Sequence, residues 1–122
     1  MGIFKVNIEV CKIGKRPGWV LFKNVIVETG SKFTWLSGHI LRRVGIDIFK
    51  KDQKFVMANG QEVTRDIGIR IIKCGDFKTV DEIVLSHPGD LLLLGARTIE
   101  GFNALVDSRK KKLVAAGPIP AL

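Results

Sequence analysis

Val25-Ile26-Val27-Glu28-Thr29-Gly30-Ser31 is the stretch whose reading decides the fold. The β-branched run favours a buried strand, and Thr-Gly-Ser does not comfortably extend one, so a carboxylate stands where a strand ends. Such a carboxylate is either satisfied by N–H groups of its own turn or held ready for acid–base chemistry. These residues alone leave both roles open.

Working outward, the apolar segment Phe33-Thr34-Trp35-Leu36 follows at once. Ser37 is placed to cap a short helix over about 38 to 44, in which Ile40, Leu41 and Val44 share a face, Arg42 and Arg43 meet water, and Gly45 ends the turn. Upstream, residues 3 to 11 alternate Phe4, Val6, Ile8 and Val10 with Lys5, Asn7 and Glu9, the pattern of a half-buried strand. Lys12 to Gly18 reads as an exposed basic connection, and Trp19 to Val27 as a second strand that leads into Glu28.

Downstream, residues 54 to 72 read as a hairpin about Asn59-Gly60, a pair suited to a tight turn with both residues at positive φ. A plain surface hairpin and a projecting, mobile one are equally compatible with this stretch. Thr79 to Leu85 has strand character, His87-Pro88-Gly89-Asp90 is a loop, and Leu91 to Leu94 suits a strand buried on both faces or a segment threading the core. Arg97 to Ala104 fits one or two helical turns through Ile99 and Phe102. Val106 and Leu113-Val114 flank a charged bend. The stretch 115–122 is apolar, contains two prolines and reads as an extended tail. Many short strands, frequent turns and two brief helices predict a mostly-β domain, a small closed barrel.

With 122 residues the chain has room for one core. It holds no apolar run of bilayer-spanning length and its start lacks the features of a signal peptide, so a cytoplasmic protein without membrane association is expected. Cys11 and Cys74 lack ligand-spaced partners and read as reduced structural thiols. The net charge of +8 comes from scattered clusters, and the aromatics do not interleave with them, so a solvated basic surface is expected rather than a nucleic-acid site. His39 and His87 have no acidic or cysteine neighbours at ligand spacing. Fingerprints of phosphate or dinucleotide binding are missing, and no cofactor or metal is implied.

The order of these features resembles the small, single-domain retropepsin-like aspartic proteases. The matching parts are the strand into Glu28-Thr29-Gly30-Ser31, the segment Phe33 to Leu36 with its helix, and the hairpin around Ala58-Asn59-Gly60-Gln61. Leu92-Leu93-Leu94-Gly95-Ala96-Arg97-Thr98-Ile99 and the closing pair Leu105-Val106-Asp107 and Lys112-Leu113-Val114 complete it. The resemblance covers nearly the whole chain: residues 1–114 correspond to the protease domain and 115–122 to the tail.

What the resemblance implies is a dimeric aspartic-type peptidase in which two carboxylates share one proton around a water. Like charges about 3 Å apart cannot both ionise, so one acts as base and the other as acid. One motif per chain implies a homodimer, with Glu28 of each copy at the two-fold axis. By position, Glu28 is the dyad carboxylate, Thr29 bonds across the dimer, Gly30 lets the backbone approach, and Ser31 supplies a hydroxyl that orients the carboxylate. Met57, Ala58, Asn59 and Gly60 form the flap over an extended peptide or protein substrate.

The family's motif begins with Asp, and here Glu28 takes its place. Its added methylene pushes the carboxyl forward, and misplacement of about 1 Å costs on the order of 100-fold in rate. Four outcomes are compatible with this: a slower protease, a rearranged turn that restores the geometry, an introduced disabling substitution, or a non-catalytic peptide-binding or dimerisation module on the same fold.

Overall fold

The computed structural model describes residues 3–14 and 18–122. Of the basic connection expected over Lys12 to Gly18, residues 15–17 lie outside the described ones, whereas Lys12, Ile13, Gly14 and Gly18 are exposed.

Strands β1 (Lys5–Cys11) and β2 (Val20–Val27) form an antiparallel pair that buries Ile8, Val10, Phe22 and Val25. After the Glu28 turn come β3 (Thr34–Ser37) and helix α1 (Gly38–Arg43), whose Ser37 hydroxyl accepts the Ile40 N–H. The long arm is β4 (Ile48–Val56) against β5 (Glu62–Cys74), and β6 (Phe77–Ser86) returns along β5. The short β7 (Leu93–Leu94), helix α2 (Ala96–Gly101) and the hairpin β8 (Ala104–Asp107) with β9 (Lys112–Ala115) complete the chain.

One seven-stranded sheet has the order β1-β2-β7-β3-β6-β5-β4, and β1 pairs in addition with β5, so the sheet rolls back on itself; β8 and β9 form a separate two-stranded sheet. The domain is therefore mostly β with two short helices, as expected. Its centre is a crossing. β7 runs parallel to β2 (Ile26↔Leu93, Val27↔Leu94) and antiparallel to β3 (Trp35↔Leu93), so it lies between the strands that enter and leave the Glu28 turn. The main core gathers Ile8, Val25, Leu36, Leu41, Ile72 and Leu94 below that crossing, and a smaller cluster of Trp35, Ile67 and Val84 lies under the arm.

Several expectations need correction. The arm begins at Ile48 rather than 54, because all of β4 except Phe55 is exposed and no alternation marks it. The turn at Asn59-Gly60 is not the two-residue type. Only Gly60 has positive φ (83°), Gly60 N–H donates to Met57 O and Met57 N–H to Gln61 O, which makes a three-residue loop with the glycine in the left-handed position. In α1 only Gly38 and Leu41 are buried, and Ile40 and Val44 face solvent. Of Leu91 to Leu94, only Leu94 is fully buried and Leu91 is exposed: the run is apolar because it threads a crossing and lines a groove.

Candidate functional site

Glu28 follows β2 directly, and its backbone continues the β2–β7 pairing by donating its N–H to Leu94 O (3.0 Å). Its carboxylate turns back on its own turn, where Oε2 accepts the Gly30 N–H at 3.1 Å. A Cβ on Gly30 would stand 3.4 Å from that oxygen, an ordinary contact, so within one copy the glycine is not sterically required. Ser31 closes the turn with its N–H on Glu28 O (3.2 Å). Its hydroxyl, expected to orient the carboxylate, donates instead to Phe33 O (2.8 Å). Thr29 is exposed, and among the described residues no hydrogen bond involves its hydroxyl.

The turn is held from behind by the segment that follows β7. Ala96 N–H donates to Ser31 O (2.8 Å), Arg97 N–H to Lys32 O (3.1 Å), and Gly95 N–H to the Thr34 hydroxyl (3.0 Å). Gly95 is obligatory, because an added Cβ would lie 2.3 Å from Phe33 O. Below it runs a buried chain of hydroxyls. Thr98 Oγ1 donates to Asp81 Oδ2 (2.8 Å), which uses its only proton, so the Thr34 hydroxyl must be the donor in the 2.6 Å contact with Thr98. The result is a directional series from the Gly95 N–H through Thr34 and Thr98 to the Asp81 carboxylate. Sequence reading passed over Thr34, Thr98 and Asp81, because isolated Thr and Asp residues in separate elements carry no spacing signal.

In front of the turn lies a groove of about 500 Å³. Glu28, Gly30 and Ser31 form one wall. Phe33, Trp35 and Leu93 form the floor, and Phe55, Met57 and Ala58 descend from the arm. Phe55 packs edge-on against Phe33 (ring centroids 5.8 Å, 88°) and tilted against Trp35 (5.1 Å), so the arm is seated on the floor by aromatic contact. Of the residues expected in a flap, Met57 and Ala58 reach this groove, whereas Asn59 and Gly60 form the exposed tip beyond it. A separate recess of about 200 Å³ lies on the other side of the turn, where Glu28 and Thr29 meet Ile3, Val27, Val106 and Ser108.

Ionic contacts join the arm to the body. Arg65 on β5 makes a bidentate pair with Asp90, Nε to Oδ2 at 2.8 Å and Nη2 to Oδ1 at 2.9 Å. Both side chains are largely buried (11% and 12% exposed), and Asp90 also accepts the His87 N–H. The Arg65 hydrogen bonds hold the Asp90 carboxyl below its ordinary value. At Glu82, burial pushes the carboxyl up, but the Lys50 ammonium beside Oε1 (3.0 Å) and the Arg97 guanidinium on Oε2 (2.7 Å) prevail and bring it below its ordinary value. Asp66, lowered first by the Asp52 N–H and then by Arg42, fixes an irregularity in β4. Cys11 is buried, and burial raises the half-buried Cys74 thiol. Among the described residues no cluster of three or more metal-ligating side chains occurs, and no helix is long and apolar enough to cross a membrane.

No protein-family model and no curated protein matches this sequence. Among solved structures, the chain is similar to the retroviral protease-like domain of Ddi1 from Leishmania major, with a TM-score of 0.54 and 11% identity over 92% of this chain and 88% of that one. At that identity the likeness is one of architecture: the mostly-β domain with two short helices has a retropepsin-like fold.

Proposed function

We propose that the chain is a homodimeric aspartic-type peptidase in which Glu28 occupies the dyad position. The observation that carries this reading is that Glu28, Gly30 and Ser31 share one groove with Met57 and Ala58, residues far away in sequence, on a retropepsin-like fold. We read the rolled sheet as that family's closed barrel; the tail expected over 115–122 starts later, because Ala115 belongs to β9 and the Ala116 N–H and Gly117 O both bond to Asn103. One protomer provides a single carboxylate, so the reading requires a second copy, with Thr29 bonding across the two-fold axis. The exposed hydroxyl of Thr29 and the apolar recess beside Glu28 support placing a partner on that side.

In the proposed reaction one Glu28 carboxylate takes a proton from water as its oxygen attacks the peptide carbonyl carbon. The partner's Glu28 gives its proton to the carbonyl oxygen. As the resulting gem-diol collapses and the C–N bond breaks, the Glu28 that took the water proton gives it to the departing amine and one gem-diol hydroxyl returns its proton to the partner's Glu28, so the dyad ends with the one proton it began with. The hydrogen bond from Gly30 N–H to Oε2 supports a turn that draws the longer side chain back and so offsets its added methylene. No cofactor takes part.

Peptide hydrolysis with an acid-shifted optimum, lost in Glu28→Gln and raised in Glu28→Asp, is the expected outcome. Hydrolysis unchanged in Glu28→Gln would overturn the reading. The same Gly30 bond favours a second reading, a peptide-binding or dimerisation module whose carboxylate only closes its own turn. It predicts peptide binding without turnover in both the parent chain and Glu28→Asp.

A further inference from the structure

Away from the residues that line the Glu28 groove, β5 is paired along one edge by two different strands. β4 accompanies it as far as Ile48↔Gly68, and β1 takes over at Cys11↔Ile71. Ile69 and Arg70 fall in the gap and have no strand partner on that edge. A second groove of about 260 Å³ opens there.

Arg70 lines this groove, although only 4% of its surface is exposed. A guanidinium stays charged at every accessible pH, so a buried one needs a partner for its charge. Among the described residues Arg70 joins no ion pair, and its one side-chain hydrogen bond is a long contact of 3.5 Å from Nη2 to Val44 O. Lys12 lines the same groove and likewise joins no ion pair among the described residues. Asp47 also lines it, but its side chain stays outside ion-pairing distance of both cations. The exposed apolar side chains of Ile13, Ile48 and Phe49 surround the cations.

We propose that this gap in the β5 edge is a binding site for a small organic oxyanion, a carboxylate or phosphate on a short apolar body, held by the Arg70 guanidinium with Lys12. The fork of Arg70 matches two oxygens of such a group, and partial burial strengthens the pairing. The volume is below the roughly 300 Å³ at which drug-sized pockets begin, which sets the ligand's size. Asp47 opposes the anion and competes for the guanidinium.

The test is titration of the whole chain with inorganic phosphate and, separately, with butyrate, followed by NMR of backbone amides and the Arg70 Nε–H. Saturable shifts centred on Ile69 to Ile71 are expected; the probe that produces them identifies the head group, and both doing so indicates the shared oxyanion chemistry. Arg70→Lys should weaken binding about tenfold and Lys12→Ala about threefold, whereas Asp47→Asn should tighten it about twofold. Shifts that do not saturate, or that spread over the surface lysines, overturn the proposal. Lys12 and Asp47 are exposed, so their variants decide the matter even if Arg70→Lys does not fold: parental affinity in both overturns it.

Discussion

The crossing behind Glu28 and the β4–β5 arm belong to one sheet but are built in opposite ways. At the crossing, Thr34, Leu36, Leu94 and Thr98 are fully buried, hydrogen bonds link the turn to the segment behind it, and Gly95 leaves no room for a methyl group. On the arm, eight of the nine residues of β4 are exposed, Phe55 and the Lys50–Glu82 ion pair tie that strand to the body, and the Arg65–Asp90 pair ties down β5. Close packing fixes position, while an exposed ladder with few buried apolar contacts opens at low free-energy cost. On the proposed peptidase reading, the contrast would give the groove one rigid wall, which holds the carboxylate, and one adjustable wall, which admits a peptide.

The largest effect should come from filling the crossing. Gly95→Ala drives a Cβ into the Phe33 and Ser31 carbonyls, which are backbone and cannot step aside, and should cost about 3 kcal/mol in urea unfolding. A loss below about 1 kcal/mol would show that the crossing yields as readily as the arm.

Cutting the joint between the two regions ranks next. Asp90→Asn leaves the largely buried Arg65 charge without its counter-ion and should cost about 2–3 kcal/mol at neutral pH. The sign with pH follows from the lowered Asp90 value. A depressed carboxyl contributes stability that is complete above its ordinary value of 3.8 and is lost as pH falls through the lower folded value. The gap between parent and variant should therefore hold from neutral pH to about pH 4 and close below it, as read by denaturant titrations across that range.

Thr98→Val keeps the shape and removes the central hydroxyl, so Thr34 loses its acceptor and Asp81 a donor; about 1–2 kcal/mol is expected from thermal unfolding. The smallest effect belongs to the arm's surface: Lys51→Ala should change stability by no more than about 0.5 kcal/mol. A larger change there would place β4 in packing that one copy does not contain.

Alternation located β1, which has one buried face, β-branched and apolar content located β2 and β6, the latter buried on both faces over Ile83 to Ser86, and the Ser37 and Gly45 signals bounded α1 to within a residue. The same logic missed the first half of β4, where exposed Ile48 and Phe49 stand among lysines and no face is buried. It also mistook the tip, since Asn-Gly is compatible with both a two-residue turn and the three-residue loop found here. The turn from Glu28 to Ser31 was legible, because a strand ending in carboxylate-Thr-Gly is a local pattern. The Arg65–Asp90 joint was not, because its members lie 25 residues apart in elements that only folding brings together.

The sequence by itself determined the mostly-β class, the turn that carries Glu28 and the need for glycines at sharp positions, since alternation, β-branching and turn chemistry act over a few residues. Only the tertiary structure decided that β7 passes between β2 and β3, that Thr34, Thr98 and Asp81 form one buried series, and that the Glu28 carboxylate turns back to Gly30. Those facts depend on which distant groups share a low-dielectric interior, where each donor must find an acceptor, and no local pattern records that pairing.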